Sequence, residues 1–241
     1  MGRAIRLKSI TLVVSLTILL IAVIIGLIAY NSRPLEKCSA FVTVFHPTVI
    51  LDAGHGGVDG GAVSLNGTEE APINLSITKK TRDIMAFVGI NAILTRSDGQ
   101  SLNYATNKTT RENKNADLRA RLEFAKLNAD CDFLSIHLNK FEQSKYFGAQ
   151  VFYSLGNESS VLLAETLQNS LIEYLDSSNT RKAKQSPDSV YLMKNIASPA
   201  VTIECGFLSN PEEELKLRSD EYQTHIALAI TKGYIDYIKE R

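Results

Sequence analysis

Apolar and polar residues follow two different periods along residues 47–241. Short apolar runs, which predict strands, alternate with longer stretches in which apolar residues recur every three or four positions, which predict amphipathic helices. The predicted strands are 48–52, 91–95, 132–136, 149–153, 190–193 and 200–204, and the predicted helices are 72–88, 116–128, 159–176, 211–218 and 221–239. This alternation predicts a single α/β domain with a mostly parallel sheet flanked by helices.

The N-terminal part of the chain has a different hydrophobic pattern. Residues 10–30 contain no charged side chain, and this length crosses a hydrocarbon core of about 30 Å as a helix rising about 1.5 Å per residue. We predict a transmembrane anchor, because the apolar stretch of a cleaved signal peptide is usually only about 7–15 residues long. Three basic residues precede the run and place residues 1–9 in the cytoplasm. Residues 31–46 then form a tether, and residues 47–241 a domain on the extracytoplasmic side.

Composition limits the possible partners. The 26 basic and 26 acidic side chains give a formal net charge of zero, which argues against a nucleic-acid partner. The three cysteines, Cys38, Cys131 and Cys205, are odd in number and widely spaced. They predict single thiols and neither a disulfide framework nor a cysteine-rich zinc site.

Two histidines and two glutamates are the strongest candidates for chemistry. His55, Glu70, His137 and Glu204 each lie where a predicted strand ends or a helix begins, and α/β sheets bind ligands beyond the carboxyl ends of their strands. Two imidazoles and one carboxylate form the three-ligand set of hydrolytic zinc sites, which leaves the fourth position for water. The remaining carboxylate is then available to transfer protons.

Three of the four candidates also have a structural alternative. His55 is flanked by glycines in a segment that lacks the residues of a phosphate-binding loop, and a solvated loop histidine is its alternative. A hydrogen-bonded core residue is the alternative for His137. Glu70 is favoured at a helix N-terminus by the helix dipole alone, and Glu69 is chemically equivalent to it. A nucleophilic Cys205 is disfavoured, because strand alternation turns it away from the face that carries Glu204.

Four segments together resemble the zinc-dependent N-acetylmuramoyl-L-alanine amidases (amidase type 3) of bacterial cell walls. They are ILDAGHGG at 50–57, Glu70 followed by Asn74-Leu75, SIHLN at 135–139 and ECGFLSN at 204–210. The resemblance implies a six-stranded sheet, a zinc ion held by His55, Glu70 and His137, and Glu204 as the proton-transferring residue. It selects Glu70 over Glu69, because the ligand glutamate of the family precedes the asparagine by four residues.

The resemblance also implies a substrate, namely the amide between the lactyl group of muramic acid and L-alanine in peptidoglycan. A membrane-anchored form without a separate wall-binding module is most similar to the spore-cortex amidases that prepare muramic-lactam for germination. No inhibitory helix is inserted before the last motif, so we hypothesise control by a regulatory protein partner or by timing of expression. A zinc carboxypeptidase acting on peptidoglycan and a non-catalytic wall-binding protein on the same fold are the alternatives.

Further charged residues follow the predicted strands and helices. Arg96 and Asp98, and then Arg119 and Arg121, resemble charged positions of the family. We expect charge pairing at the rim of the sheet from them, and no catalytic role. His46 and His225 match no motif, and we expect both to be structural or solvated.

Overall fold

The computed structural model describes residues 18–23 and 48–241. Residues 18–23 form a short helical segment. Among the described residues, no helix is both long enough and apolar enough to cross a bilayer. The predicted cytoplasmic segment 1–9, most of the predicted anchor 10–30 and the predicted tether 31–46 lie outside the described residues.

Six strands and six helices follow one another from residue 48 onward. In chain order they are β1 (Thr48–Ala53), α1 (Glu70–Phe87), β2 (Asn91–Leu94), α2 (Thr110–Leu127), β3 (Asp132–Asn139), β4 (Gln150–Tyr153), α3 (Glu158–Leu175), β5 (Lys184–Gln185), α4 (Tyr191–Asn195), β6 (Ala200–Phe207), α5 (Pro211–Leu217) and α6 (Asp220–Glu240).

The strands form one sheet in the order β2-β1-β3-β6-β4-β5. The first four strands of this order run parallel, whereas β4 is antiparallel to β6 and parallel to β5. The predicted α/β fold with a mostly parallel, six-stranded sheet flanked by helices is therefore confirmed.

Strand alternation divides the core between the two faces of the sheet. Leu134, Ile203 and Cys205 belong to the larger cluster, which packs against α1, α3 and α6. Phe133 and Ala200 belong to the smaller cluster, which packs against α2 and α4. Because side chains alternate with period two, the even-numbered positions of β6 and the odd-numbered positions of β3 point to the α2/α4 face. This face is the one that carries the candidate site.

The predicted strand 190–193 is wrong. Residues 191–195 form helix α4, and the short edge strand lies earlier, at Lys184–Gln185. The amide of Lys194 donates to the carbonyl of Val190, and that of Ile196 donates to Leu192. A four-residue apolar run fits either element, and here burial of Leu192 and Met193 against the smaller core cluster is achieved by a single helical turn.

Helix α2 begins earlier than predicted. Its first turn is polar, so it has no apolar periodicity, but a capping box fixes its start at Thr109. The Thr109 hydroxyl accepts from the amide of Glu112, and the Glu112 carboxylate accepts from the amide of Thr109. Such reciprocal bonds satisfy two amides that an uncapped helix would leave unpaired.

Candidate metal centre

His55 lies in a tight glycine-containing turn that follows β1. Its φ of 61° is the only positive value at a non-glycine position among the described residues, and such conformations persist only where the surroundings enforce them. The amide of Gly54 donates to Ile136 of β3 over 3.0 Å. This bond draws the turn onto the neighbouring strand, which carries His137.

Glu70 is the first residue of α1, and its carboxylate lies between the two histidines. Its Oε1 atom is 2.9 Å from His137 Nδ1 and accepts from the amide of Leu138 at 3.0 Å. Its Oε2 atom is 3.3 Å from His55 Nε2 and accepts from the amide of Ala62 at 2.8 Å. Glu69, in contrast, is exposed and precedes the helix. The geometry therefore agrees with the choice of Glu70.

The three predicted ligands converge on one point. One donor atom from each of His55, Glu70 and His137 lies within 4.8 Å of the other two, and the imidazole rings meet edge to face with their centroids 4.9 Å apart. These donors come from the turn after β1, the start of α1 and the end of β3. The structure thus brings together side chains separated by 82 positions of sequence, from 55 to 137.

The chemistry of this cluster fits a divalent metal ion. Two imidazole nitrogens and a carboxylate oxygen are the donors of hydrolytic zinc sites. Burial alone would lower the pKa of His55, but hydrogen bonds and charge from Asp59 and Glu70 raise it to about 9. Burial likewise opposes ionisation of Glu70, yet the two histidines hold its pKa well below its usual range. The carboxylates thus favour a positive charge at this point.

Glycines make room for the donors. A Cβ atom at Gly54 would lie 2.3 Å from Cε1 and 2.4 Å from Nε2 of His137. A Cβ atom at Gly61, whose φ is 73°, would lie 2.6 Å from Oε2 of Glu70 and 2.7 Å from Cδ2 of His55. The cluster can therefore be this compact only because both positions lack side chains.

Glu204 faces the cluster from the adjacent strand. It is the register partner of His137 across β3 and β6, and residues paired in this way share one face of the sheet. Its Oε2 atom is buried and has no hydrogen-bond partner among the described residues. Burial is the main reason that the pKa of Glu204 rises to about 7. A carboxyl group with this pKa suits proton transfer near neutral pH.

Two buried arginines hold the turn that carries His55. Arg121 of α2 donates to the carbonyls of Ala53 and His55 at 2.8 Å and 2.6 Å, and it pairs with Asp52 and Asp117. Arg96 donates to the carbonyls of Ala53, Gly54 and Ala71 at 2.9–3.0 Å. The expected charge pairing is confirmed for Arg121. Arg96 instead donates to backbone carbonyls, and Arg119 is exposed.

A family model described as N-acetylmuramoyl-L-alanine amidase matches residues 49–236. The chain belongs to the N-acetylmuramoyl-L-alanine amidase family. A germination-specific N-acetylmuramoyl-L-alanine amidase of Bacillus subtilis is 36% identical over 193 residues, which cover 80% of each chain. The amidase AmiA of Escherichia coli is 29% identical, over 86% of this chain and 80% of that one.

Solved structures agree with this membership. The CwlD amidase of Clostridioides difficile, solved in complex with the GerS lipoprotein, is 44% identical, with a TM-score of 0.77 over 81% of this chain and 100% of that one. The amidase AmiC2 of Nostoc punctiforme is 27% identical, with a TM-score of 0.68 over 80% of this chain and 98% of that one. The predicted resemblance to this amidase family and to its germination enzymes is confirmed, and the protein is an amidase and a hydrolase.

The amidase site also contains a residue that the sequence analysis missed. Asp59 Oδ2 is 2.9 Å from His55 Nδ1 and 3.2 Å from Lys114 Nζ. A carboxylate that accepts from Nδ1–H leaves the lone pair of Nε2 free for a metal ion and fixes the ring orientation. The signal in the sequence was an acidic residue four positions after the histidine, within the same glycine-rich segment.

Other candidates lie away from the amidase site. His225 is exposed on α6, and His46 lies outside the described residues. Cys131 and Cys205 are buried free thiols in the described part of the chain, and Cys38 lies outside it. Cys205 packs into the larger core cluster on the face opposite Glu204, and burial raises the pKa of its thiol well above the usual value. This agrees with the rejection of a cysteine nucleophile.

Proposed function

We propose that the protein is a zinc-dependent amidase of spore-cortex peptidoglycan, anchored to the membrane by residues 10–30. The observation that carries the proposal is the convergence of His55, Glu70 and His137 beside the unpaired oxygen of Glu204. These three side chains would hold zinc, which when bound polarises a scissile carbonyl and lowers the pKa of a water molecule from about 15.7 towards about 7.

Glu204 carries the proton through the reaction. Its carboxylate accepts one proton from the attacking water as the water oxygen bonds to the lactyl carbonyl carbon. It then gives that proton to the nitrogen of L-alanine as the C–N bond breaks, so that the products are a free lactyl carboxylate and a free peptide amine. The raised pKa of Glu204, about 7, allows both transfers near neutral pH.

An apolar groove beside Glu204 offers space for the substrate. It measures about 470 Å³, and its lining includes Glu204, His137, Phe152, Ser186, Tyr191 and Leu192. The helix α4, which was predicted as a strand, forms one wall of this groove. Substrate bound in this apolar groove would lie next to His137 and Glu204.

The cellular role rests on the relatives and on the N-terminal sequence. Similarity to a germination-specific amidase supports the cortex as the site of action, in muramic-lactam formation. A relative that is solved in complex with a lipoprotein supports a regulatory protein partner. The uncharged run of residues 10–30 supports a membrane anchor, and the basic residues before it support an amidase domain on the extracytoplasmic side. With the cortex as substrate, this side is the forespore or spore-cortex region.

Metal analysis combined with mass spectrometry of digested peptidoglycan tests the proposal. We expect about one zinc per chain and glycan products that have lost L-alanine from muramic acid. Glu204→Gln should keep the zinc but reduce hydrolysis by about 10²–10⁴-fold, because it cannot accept the proton of water. Glu212→Gln, which changes an exposed carboxylate on α5, is the matched control.

Two outcomes would contradict this assignment. Glycan products that still carry L-alanine would indicate a carboxypeptidase. Hydrolysis by Glu204→Gln at the rate of the control variant would remove Glu204 from the mechanism.

A further inference from the structure

Four cationic side chains converge at the sheet edge next to the amidase site. Lys145, Arg181, Lys182 and Lys184 line a pocket of about 410 Å³, here called the basic pocket, and no acidic residue among the described ones lines it. None of the four forms a salt bridge with a carboxylate in the described part of the chain. Other surface lysines, such as Lys126 and Lys232, are paired with acidic neighbours.

The basic pocket is held in place by a buried glutamine. Gln150 is 4% exposed, and its Oε1 atom accepts from Arg181 Nη1 at 3.0 Å while its Nε2 atom donates to the carbonyl of Lys182 at 2.9 Å. Arg181 also donates to the carbonyl of Phe147 and lies over the ring of Phe207, 4.6 Å from its centroid. The guanidinium is therefore fixed before any ligand arrives, which lowers the entropic cost of binding.

Gln150 also connects this pocket to the catalytic carboxylate. It is the register partner of Glu204 across the antiparallel pair of β4 and β6, and directly opposed residues share a face with Cα atoms about 4.5–5.5 Å apart. The acidic side chain of Glu213, whose charge acts on Arg181, is already bonded to the amides of Gly148 and Phe207. Gln150 therefore lines the basic pocket and lies about one strand spacing from Glu204.

We propose that the basic pocket binds the carboxylates of the stem peptide on the leaving-group side of the scissile amide. This rests on the proposed function, in which Glu204 protonates the nitrogen of L-alanine. An extended chain covers about 3.3–3.6 Å per residue, so the second and third residues of the stem lie about 7–11 Å beyond that nitrogen. Stem peptides carry free carboxylates at these positions, whereas the glycan on the other side of the amide is largely neutral.

Kinetics with paired substrates test the proposal on the full-length chain loaded with zinc. The substrates share one disaccharide and differ only in whether the second and third stem residues carry free or amidated carboxyl groups. We expect Lys182→Gln/Lys184→Gln to raise KM about three- to tenfold on the free acid, since exposed ion pairs are individually weak. The rise in KM should shrink at high salt, and kcat of the variant should stay within about twofold of the wild-type value. On the amidated substrate, the variant and the wild type should have the same KM.

The control variant Lys126→Gln/Lys232→Gln removes the same charge from paired surface sites and should leave KM unchanged on both substrates. Arg181→Lys, which keeps the charge but loses the planar contacts, should raise KM on the free acid only. A KM for the lysine variant that is unchanged, or raised equally on both substrates, would overturn the proposal. A further contrary result is that poly(glycerol phosphate) competes for the pocket while amidation of the stem leaves KM unchanged. This result would assign the pocket to phosphate polymers and would also overturn the proposal.

Equilibrium binding of the free stem tetrapeptide separates this proposal from the proposed function. The wild-type chain should bind the peptide several-fold more tightly than Lys182→Gln/Lys184→Gln, whether or not the chain hydrolyses peptidoglycan. If the wild type cleaves neither substrate but the difference in peptide binding persists, the proposed function fails while the pocket assignment stands. Equal binding by both chains would remove the pocket assignment alone.

Discussion

At the scale of single residues, the space left by Gly54 sets the position of the His137 ring. A Cβ atom at position 54 would come within 2.3 Å of that ring, a separation that real contacts do not show. We expect Gly54→Ala to lower zinc affinity by about tenfold or more, because the displaced imidazole no longer shares a common point with Glu70 and His55. Competition with a metal chelator measures the affinity.

Gly99→Ala provides the control for this substitution. No atom lies within 4 Å of the corresponding Cβ position, so we expect wild-type zinc affinity. A folded Gly54→Ala variant with the same affinity as the control would show that the ring can relocate without cost.

Asp59 affects zinc through His55 and touches no other predicted ligand. Asp59→Asn keeps the size of the side chain but removes its charge and its preference for accepting from Nδ1–H. We expect about 10- to 100-fold weaker zinc binding, the range seen for residues that orient metal ligands. The exposed Asp130→Asn should bind as the wild type does. Competition with a chelator measures the zinc affinity of both variants. Equal affinities would show that Asp59 supports only the structure of the loop.

The cluster of His55, Glu70 and His137 was predicted from the sequence, whereas the partner of His55 was not identified. Resemblance to the amidase family selected His55, Glu70 and His137, and it alone separated Glu70 from Glu69. Asp59 is equally close in sequence, but its role depends on a turn in which His55 adopts a φ of 61°. A positive φ is uncommon at any non-glycine position, so the sequence did not indicate this turn. The contacts of Arg96 and Arg121 with residues 52–55 span 42–69 positions, so only the folded chain reveals them.

At the scale of elements, α2 is fixed to the end of β1 by a buried charge network. Asp52 pairs with Arg121 and accepts from Thr95 and Ser135 at 2.6 Å. We expect Arg121→Met to lower the free energy of unfolding by about 3–5 kcal/mol, because it leaves the charge of Asp52 buried and unpaired. Urea denaturation at pH 7 measures the free energy of unfolding. As a control, Arg119→Met, at an exposed position, should lower it by less than about 0.5 kcal/mol.

The same network gives a pH dependence with a definite sign. Burial alone would raise the pKa of Asp52, but the charge of Arg121 and the hydrogen bonds from Ser135 and Thr95 lower it. Its contribution to stability is therefore fully present above the unfolded pKa of about 3.9 and is lost as pH falls through the lower folded pKa. In Arg121→Met, burial dominates, so protonation of Asp52 at acid pH should relieve the unpaired charge.

We therefore expect the stability difference between the wild type and Arg121→Met to be largest near neutral pH and to narrow as the pH falls towards 4. Urea titrations at several pH values measure this difference. If this difference in the free energy of unfolding stays constant or widens on acidification, then lost packing of the arginine, and not the charge of Asp52, causes the destabilisation.

Three long helices were predicted well, whereas α4 and β5 were not, and α2 begins six residues before its predicted start. Helices α1, α3 and α6 have 18 to 21 residues, enough for several turns of apolar periodicity. Helix α4 has five residues and β5 has two, and each is determined by what it packs against. The error at 190–193 matters for function, because this helical turn forms a wall of the apolar groove.

At the scale of the whole molecule, the proposed zinc ion would join three separate parts of the fold. Its ligands come from the turn after β1, the N-terminus of α1 and the end of β3, so binding should stabilise the native state against global unfolding. At a free zinc concentration of 100 times Kd the gain is about 2.7 kcal/mol. For a domain of this size we expect the melting temperature to rise by about 5–10 °C between chelator and zinc.

Two variants separate this stabilisation from catalysis in the same thermal-shift measurement. His137→Ala removes one donor and should lose most of the zinc-dependent rise, whereas Glu204→Gln keeps all three donors and should retain it. The opposite pattern, with Glu204→Gln insensitive to zinc and His137→Ala fully responsive, would exchange the roles of these two register partners. Because His137 and Glu204 face each other across β3 and β6 and line the same cavity, their positions alone do not separate a ligand from a proton carrier, whereas metal-dependent stability does.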